Sequence, residues 1–335
     1  MNFDIPNVKN FCGGNFQDWL EVNLIETCNA HCDWCIERNG YHPVYHADVE
    51  TIADMAIKSG KTNIILLGGE PLLYKYMQDL VEILVNSNKK VWITTNGLLL
   101  TEKYIDKNLI GITGVNISIH HFDMLKNKQI TKITIDETKL IKAISTLHSV
   151  DAFVRMNCNV IKDQIDTPEK IVSYVQWAKK IGADKVRFAE LKQDDNNFID
   201  LAKILNYKYN LNDNPFTHGC NSDCVIEGIP INFRQMCGLQ TTRRIAPLNP
   251  QQVMKQVLYY DGKMYDGWQI NKKENIMKTE NSNPLDKAIK KATDDKLNEE
   301  ERKRLADIIK EEVDKKVREY KQDNPRPTSG GGCQY

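Results

Sequence analysis

The sequence predicts an α/β protein whose strands form a mainly parallel sheet. Six apolar segments of strand length lie between residues 19 and 191, and amphipathic helical patterns separate them. These segments alternate apolar and polar residues only loosely, as strands covered on both faces do. Most of them end in polar residues or glycine. Six strand-then-helix steps fit a parallel barrel or an open doubly wound sheet, and a barrel places its chemistry at the carboxyl ends of its strands.

Periodicity and turn signals place these elements in order. The strands are predicted at 19–25, 63–67, 90–95, 115–120, 153–160 and 185–191. The helices are predicted at 48–59, 72–85, 102–107, 138–147 and 168–181. Apolar residues at helical spacing support the first helix, namely Val49, Ile52, Ala53 and Ala56. Pro168 lies in the first turn of the last helix, where its missing N–H has no helical partner to lose.

Composition narrows the function classes. The chain has 335 residues, 41% of them hydrophobic, with 45 basic and 45 acidic side chains. This balance gives no electrostatic case for nucleic acid or a membrane surface as partner. No apolar run reaches transmembrane length, and residues 1–14 lack the features of a signal peptide, so a cytoplasmic location is expected. Nine cysteines, several at ligand spacings, favour metal binding in a reducing compartment over disulfides.

Three of the cysteines directly follow the first predicted strand. Cys28, Cys32 and Cys35 form a C-x3-C-x2-C run. A short loop over one face of a 4Fe–4S cube can offer thiolates to three irons and leave the fourth open to a ligand. A zinc site is the alternative, with His31 as a fourth ligand.

The same run carries a family resemblance. C-x3-C-x-aromatic-C, with Trp34 as the aromatic residue, resembles the cluster loop of the radical S-adenosylmethionine (SAM) superfamily. The resemblance implies a partial (β/α)6 barrel and a 4Fe–4S cluster on Cys28, Cys32 and Cys35 that binds SAM. It also implies reductive cleavage of SAM to a 5'-deoxyadenosyl radical, which takes hydrogen from substrate. An electron donor such as flavodoxin or ferredoxin is implied as a partner.

A glycine-rich turn follows the second predicted strand. Gly68, Gly69, Glu70 and Pro71 form it. The glycines let backbone approach a ligand, and the carboxylate of Glu70 can meet an ammonium group. By itself the run is equally well a tight turn. After the cysteine loop, it resembles the superfamily motif that binds the methionyl amino group of SAM.

Later strand ends supply the other candidate cofactor-binding residues. Asn96 lies in a turn after the third strand, and the resemblance places the hydroxyl of Ser118, at the end of the fourth, near the ribose or carboxylate of SAM. Arg155 and Asn157 share one face of the fifth strand. An inward Arg155 would neutralise the cofactor carboxylate, whereas an outward one would form a rim salt bridge. Arg187 lies on the sixth strand, but the sequence does not show which face of that strand points inward.

A second cysteine group follows in a region that the sequence predicts to be rich in loops. Cys220, Cys224 and Cys237 lie close together, with His218 nearby. They are interpreted as a second metal centre, an iron–sulfur cluster or alternatively zinc, with buried inert thiols as the other possibility. The layout resembles the shortened SPASM/Twitch-like auxiliary-cluster domains of many radical SAM enzymes. Three residues separate the first pair here, where the molybdenum-cofactor cyclase of that superfamily has two.

The chain is therefore divided into five predicted parts. They are a lead-in at 1–18, the partial barrel at 19–200, the auxiliary region at 201–275, a charged amphipathic C-terminal helix at 276–324 and a glycine-rich tail at 325–335. The tail is interpreted either as a frayed terminus or as a segment that folds over the barrel mouth and contributes Cys333.

Three functions are open on the sequence alone. The first is a radical SAM enzyme acting on a small-molecule or nucleotide-like substrate. The second is a radical SAM enzyme that modifies a peptide or protein. The third is a zinc-binding interaction protein without catalysis. The short lead-in, with no recognisable peptide-binding domain, favours a compact substrate.

Overall fold

The chain folds as repeated strand–helix units whose strands form one sheet. The computed structural model describes residues 18–191, 197–201, 204–205, 221–234 and 256–269. The strands are β1 (Trp19–Asn23), β2 (Asn63–Leu67), β3 (Lys90–Thr95), β4 (Gly114–Ser118), β5 (Phe153–Asn159), β6 (Lys185–Ala189), β7 (Asn221–Ile226), β8 (Ile229–Arg234), β9 (Gln256–Tyr259) and β10 (Met264–Asp266). All six strands predicted from the sequence are confirmed.

In the part of the chain that the structure describes, six α-helices connect the strands. They are α1 (Val49–Lys58), α2 (Met77–Asn86), α3 (Glu102–Asn108), α4 (Met124–Thr131), α5 (Glu137–Ser149) and α6 (Pro168–Lys180). Short 3-10 helices occupy Ile36–Asn39 and Pro71–Leu73. Capping side chains start most of the helices; for example, Asp48 accepts a hydrogen bond from the N–H of Thr51 at 2.8 Å.

The sheet has the order β10-β9-β1-β2-β3-β4-β5-β6-β8-β7. β1 to β6 lie side by side in chain order and are all parallel. Successive crossovers of one hand place the helices on one face, so the sheet curls into a partial barrel. β8 and β9 extend it in parallel beside β6 and β1, and β7 and β10 are antiparallel edges. The predicted α/β class is confirmed.

Side-chain alternation divides the sheet into a helix-covered face and an inner face, which we call the lumen. Residues such as Val22, Ile117 and Phe188 are fully buried under the helices. Their neighbours along each strand point the other way and are mostly polar. Within the lumen, the side-chain amide of Asn116 donates to the hydroxyl of Thr94 at 3.0 Å. The lumen face of the sheet is therefore mostly polar, and the helix-covered face is apolar.

Aromatic rings cover the lumen where the strands begin. The ring of Trp92 lies 5.9 Å from that of Trp19 and 6.1 Å from that of Phe153. Gly114 makes room for it, because a Cβ there would lie 2.6 Å from the Trp92 ring. These rings form a floor at the amino ends of the strands. The other end, where the carboxyl ends of β1 to β6 meet, carries the candidate site.

The structure differs from the sequence prediction in three places. Helix α2 begins at Met77, five residues after the predicted start, because Pro71–Leu73 forms a separate 3-10 turn. Helix α4 was not predicted, since its buried residues include the polar Asn127 and Thr131 and hide the amphipathic period. The described parts of the region predicted to be rich in loops form two β-hairpins, 221–234 and 256–269.

Both hairpins carried a turn signal that periodicity alone did not reveal. Glu227-Gly228 and Asp261-Gly262 stand between runs of strand-forming residues, and three of these four residues have positive φ. Among the described residues, no helix has the length and apolar character needed to span a bilayer. The predicted lead-in, charged helix and glycine-rich tail lie outside the described residues, apart from Asp18.

Candidate functional site

The cysteine loop lies at the carboxyl end of β1. Cys28 is exposed, Cys32 and Cys35 are half-buried, and all three are free thiols. Partial burial, together with the charges of Cys35 and Cys28, raises the pKa of Cys32 to about 12. Cys28 and Cys35 are therefore close enough to Cys32 to disfavour its ionisation, and a cationic group beside Cys32 would reverse that effect.

Neighbouring elements hold the loop at both ends. The N–H of His31 donates to the last carbonyl of α4, that of Thr131, at 2.8 Å. Lys132, just beyond α4, lies 3.6 Å from Asp33. On the other side, Asn96 donates to the side-chain oxygen of Asn29 at 2.6 Å. The helix that the sequence did not predict is thus one of the two supports of the loop.

The turn after β2 packs directly against the chain that leads into the loop. The N–H of Gly69 donates to the carbonyl of Ile25 at 2.6 Å, and that of Glu70 to the carbonyl of Thr27 at 2.9 Å. A Cβ on Gly69 would lie 2.3 Å from the Thr27 oxygen, and one on Gly68 would lie 2.5 Å from the Ile25 oxygen. The glycines are needed for this close approach of two backbones.

We expect Gly69→Ala to destabilise the protein by about 3 kcal/mol or more, because the added Cβ meets main-chain atoms that cannot move aside. Urea unfolding of the full chain measures this loss. Gly60→Ala is the matched control, since Gly60 has positive φ but an added Cβ there would have no atom within 4 Å. It should cost about 1 kcal/mol. Equal losses in the two variants would contradict the close-packing explanation.

Glu70 joins the turn after β2 to the end of β3. Its side chain is fully buried. Oε1 accepts from the Thr95 hydroxyl at 2.6 Å and the Leu72 N–H at 3.0 Å, and Oε2 accepts from the Asn96 N–H at 2.8 Å. Burial raises the pKa of Glu70, and these three hydrogen bonds oppose the rise. Glu70 thus fixes the turn after β2 to the end of β3. Its contact with an ammonium group stays a prediction.

The residues at this edge fit the 4Fe–4S cluster and SAM that the cysteine motif implies. The buried Oδ1 of Asn23 has no hydrogen-bond partner, while the amide of that residue donates to Glu37 at 2.8 Å. This oxygen lies beside Gly68, where an added Cβ would be 3.0 Å away. The same Cβ would lie 2.5 Å from the Ile25 oxygen, so this gap is filled by main chain. The fit to a cluster therefore rests on the three free thiols of the loop, of which Cys28 is exposed.

No three Cys, His, Asp or Glu side chains within the described ranges are grouped so as to hold a single metal ion. A 4Fe–4S cube places a different demand on its ligands, because each thiolate binds a separate iron.

The remaining predicted cofactor residues follow β4 and β5. Ser118 is half-buried at the end of β4. Arg155 and Asn157 share the lumen face of β5, as predicted, and Nε of the arginine donates to Oδ1 of the asparagine at 3.2 Å. Burial, together with the charge of Arg234, lowers the pKa of Arg155 to about 10. Arg155 therefore points into the lumen and does not lie at a rim. Its predicted contact with the cofactor carboxylate stays a prediction, and its place on the strand beside Arg187 also suits a substrate anion.

Sequence reasoning missed the polar group formed by β6, β7 and β8. Nε of Arg187 donates to Oδ1 of Asn232 at 2.9 Å, and the amide of Asn232 donates to Asp223 at 3.1 Å. Lys185 lies 3.3 Å from Asp223. These side chains face the lumen, which also answers the question of the inward face of the sixth strand. Only the addition of β8 beside β6 reveals the group, because the strands are far apart in sequence.

The second cysteine group is only partly described. Cys224 lies on β7, is buried in the hydrophobic core, and has its pKa raised to about 12 by burial and the neighbouring charge of Asp223. His218, Cys220 and Cys237 lie outside the described residues. The second metal centre therefore stays a prediction.

Comparison with known proteins identifies the domain. Residues 22–175 match the family model described as the Radical SAM superfamily. The GTP 3',8-cyclase of Thermodesulfovibrio yellowstonii is 27% identical over 182 residues, which cover 52% of this chain and 56% of that relative. Molybdenum cofactor biosynthesis protein 1 of Dictyostelium discoideum is 27% identical over 212 residues, covering 57% and 32%. The chain thus spans only about a third to about half of these relatives.

A solved structure has a similar fold. The crystal structure of Streptococcus suis SuiB superimposes with a TM-score of 0.51 at 17% sequence identity, covering 75% of this chain and 60% of that one. At this identity the likeness concerns the fold, and it agrees with the partial barrel described above.

Proposed function

We propose that this chain is a radical SAM enzyme that reductively cleaves SAM at a 4Fe–4S cluster on Cys28, Cys32 and Cys35. The resulting 5'-deoxyadenosyl radical would abstract hydrogen from a small anionic or nucleotide-like molecule in the lumen. One observation carries this proposal: three free thiols on one loop stand at the carboxyl end of β1, beside the glycine turn after β2. The family match favours this interpretation over a zinc-binding protein without catalysis.

The protein's own residues would position the cofactor. The cluster with bound SAM supplies a strongly reactive carbon radical next to the substrate. Asn96 ties the cysteine loop to the end of β3. We assign Ser118 and Asn157 to polar contacts with SAM, because both face the lumen near the same edge.

The character of the lumen supports an anionic substrate. Arg155 and Arg187 lie on neighbouring strands, and burial together with the like charge of nearby arginines lowers the pKa of both. Guanidinium groups in a sheltered cavity bind carboxylate or phosphate bidentately. Two of the curated relatives carry names that refer to GTP or to molybdenum cofactor biosynthesis. A phosphorylated or carboxylated small molecule therefore fits this site best.

Wild-type protein tests the proposal directly. Anaerobically reconstituted full-length chain, reduced and given SAM, should release 5'-deoxyadenosine and methionine, measured by chromatography. It should also bind iron and sulfide in the ratio of a 4Fe–4S cluster, with an electron paramagnetic resonance signal that changes when SAM is added. A reconstituted chain that holds zinc only and leaves SAM intact would contradict the proposal.

We also propose that Cys220, Cys224 and Cys237 hold a second metal centre. Replacing all three with alanine should remove the iron of that centre and leave the first cluster and SAM cleavage in place. Iron and sulfide analysis per chain measures the change. Unchanged metal content would mean that the three thiols serve packing, as the core position of Cys224 also allows.

A further inference from the structure

The lumen carries an acidic group on its β1 side. Glu21 is only 7% exposed and lies on the lumen face, between Leu20 and Val22 of the helix-covered core. The indole N–H of Trp268, which follows β10, donates to its Oε2. The ring of Tyr259 on β9 stands 6.1 Å from that of Trp268. We call Glu21 with these two rings the acidic wall.

The opposite side of the lumen carries arginines. Arg155 on β5, Arg187 on β6 and Arg234 on β8 form what we call the basic wall. In the sheet Arg155 stands opposite Lys185, two residues before Arg187, and Arg234 stands opposite Ala189, two residues after it. Since alternate residues of a strand share a face, the three arginines line one face of neighbouring strands. Like charges in a sheltered cavity favour an anion among them.

The two walls are close but separate. In the sheet, four strands stand between β1 and β6, so only the curl of the barrel brings Glu21 toward Arg187. Among the charges that act on Arg187, Asp223 has a larger effect than Glu21. Glu21 is therefore within electrostatic range of the basic wall without being its main counter-ion. A molecule that meets both walls needs a positive charge at one end and a negative charge at the other.

The aromatic rings indicate which cation the acidic wall prefers. A carboxylate beside Trp and Tyr rings offers an ammonium group both a charge-assisted hydrogen bond and cation–π contacts. The negative charge of a sheltered carboxylate also favours a cationic ligand group over a neutral one, because charges interact more strongly away from water.

We propose that the lumen binds a small zwitterion, with its primary amine at Glu21 and its carboxylate or phosphate at Arg155, Arg187 and Arg234. This inference rests on the proposed function, since the bound molecule would be the hydrogen donor. It narrows the substrate from a small anion to an amine-bearing anion of the amino-acid type. A carbon between the two charged groups would then be held in the middle of the lumen.

Binding to reconstituted full-length chain tests this class. The probes are the standard L-amino acids and phosphoethanolamine at millimolar concentration, observed by ligand-detected NMR. We expect at least one probe to bind, and we expect N-acetylation and removal of its anionic group each to weaken binding about tenfold or more. Comparing the affinity of an amino acid with that of phosphoethanolamine shows whether the site prefers a carboxylate or a phosphate. Failure of every probe to bind would overturn the proposal.

Matched variants assign each group to its wall. In the Glu21→Gln variant, the glutamine oxygen can still accept a hydrogen bond from the Trp268 indole. N-acetylation of the probe should no longer weaken its binding to this variant. In Arg187→Gln, removal of the anionic group should matter less, while Arg187→Lys should keep part of the discrimination. Glu137→Gln is the control, because Glu137 also accepts from an indole, that of Trp177 at 3.1 Å, but lies on helix α5 outside the lumen. Its binding should equal that of wild type.

Two results would overturn the zwitterion proposal. One is a probe that still binds the Glu21→Gln variant more weakly after N-acetylation than before it. The other is tight binding of GTP that depends on Glu21 and Arg187 when no amine-bearing probe binds. The proposed function fails separately: wild-type chain that binds the probes yet releases no 5'-deoxyadenosine from SAM contradicts only that function. If the chain cleaves SAM but binds a probe equally well before and after N-acetylation, only the zwitterion proposal is contradicted.

Discussion

Replacing Cys32 with alanine is expected to reduce 5'-deoxyadenosine release to background and to remove most of the iron of one cluster. The reason is that three thiolates on one loop hold a single cube, so losing one ligand exposes a second iron and the cluster is lost as a unit. Cys28→Ala and Cys35→Ala should behave the same way. Iron and sulfide analysis together with chromatography of the SAM cleavage products measures the effect.

Cys158→Ala is the matched control for this loss. Cys158 is a free thiol that is fully buried on β5, in the core and outside the loop. Its removal should leave iron content and SAM cleavage near wild type, with a small loss of stability from the smaller side chain. If the Cys32 variant kept full iron and still released 5'-deoxyadenosine, the assignment of the loop would be wrong.

The second large effect is expected at Glu70. In Glu70→Ala, the Thr95 hydroxyl and the N–H groups of Leu72 and Asn96 lose their acceptors inside a fully buried turn. Each unsatisfied donor costs about 1–3 kcal/mol, so the three together should lower the free energy of unfolding by about 3 kcal/mol or more. The cysteine loop should also lose its support at Asn96, so the variant should bind less iron. Urea unfolding and iron analysis measure the two effects.

Two variants separate this explanation from a general sensitivity of the fold. Glu70→Gln keeps the shape and one acceptor oxygen, so its loss should be intermediate. Glu102→Ala removes an exposed carboxylate from the first turn of α3 and should cost less than about 1 kcal/mol. If Glu70→Ala unfolded at the same urea concentration as wild type, the three hydrogen bonds would not be what holds the turn.

Local patterns were sufficient to find the frame of the barrel. The strands from β1 to β6 are apolar runs bounded by turn residues, and each is recognisable without its neighbours. Helix α4 was missed for the opposite reason. Its buried Asn127 receives a hydrogen bond from the N–H of His120 at 2.8 Å, so a polar side chain takes a position where periodicity expects an apolar one. Tertiary contacts of this kind override the amphipathic pattern.

The sequence by itself determined the cysteine loop and the glycine turn of this protein, because each motif lies within a few consecutive residues and its chemistry depends on that spacing. The tertiary structure alone decided what faces the lumen. Strand alternation shows that Arg155 and Asn157 share a face, but only the helices covering the other face decide that this one points inward. Glu21 and Trp268 are hydrogen-bonded although more than two hundred residues separate them in the sequence. Only the order of the strands in the sheet brings such residues together. The walls of the lumen, and therefore the choice of substrate, depend on how the sheet curls and on which late strands join its edges.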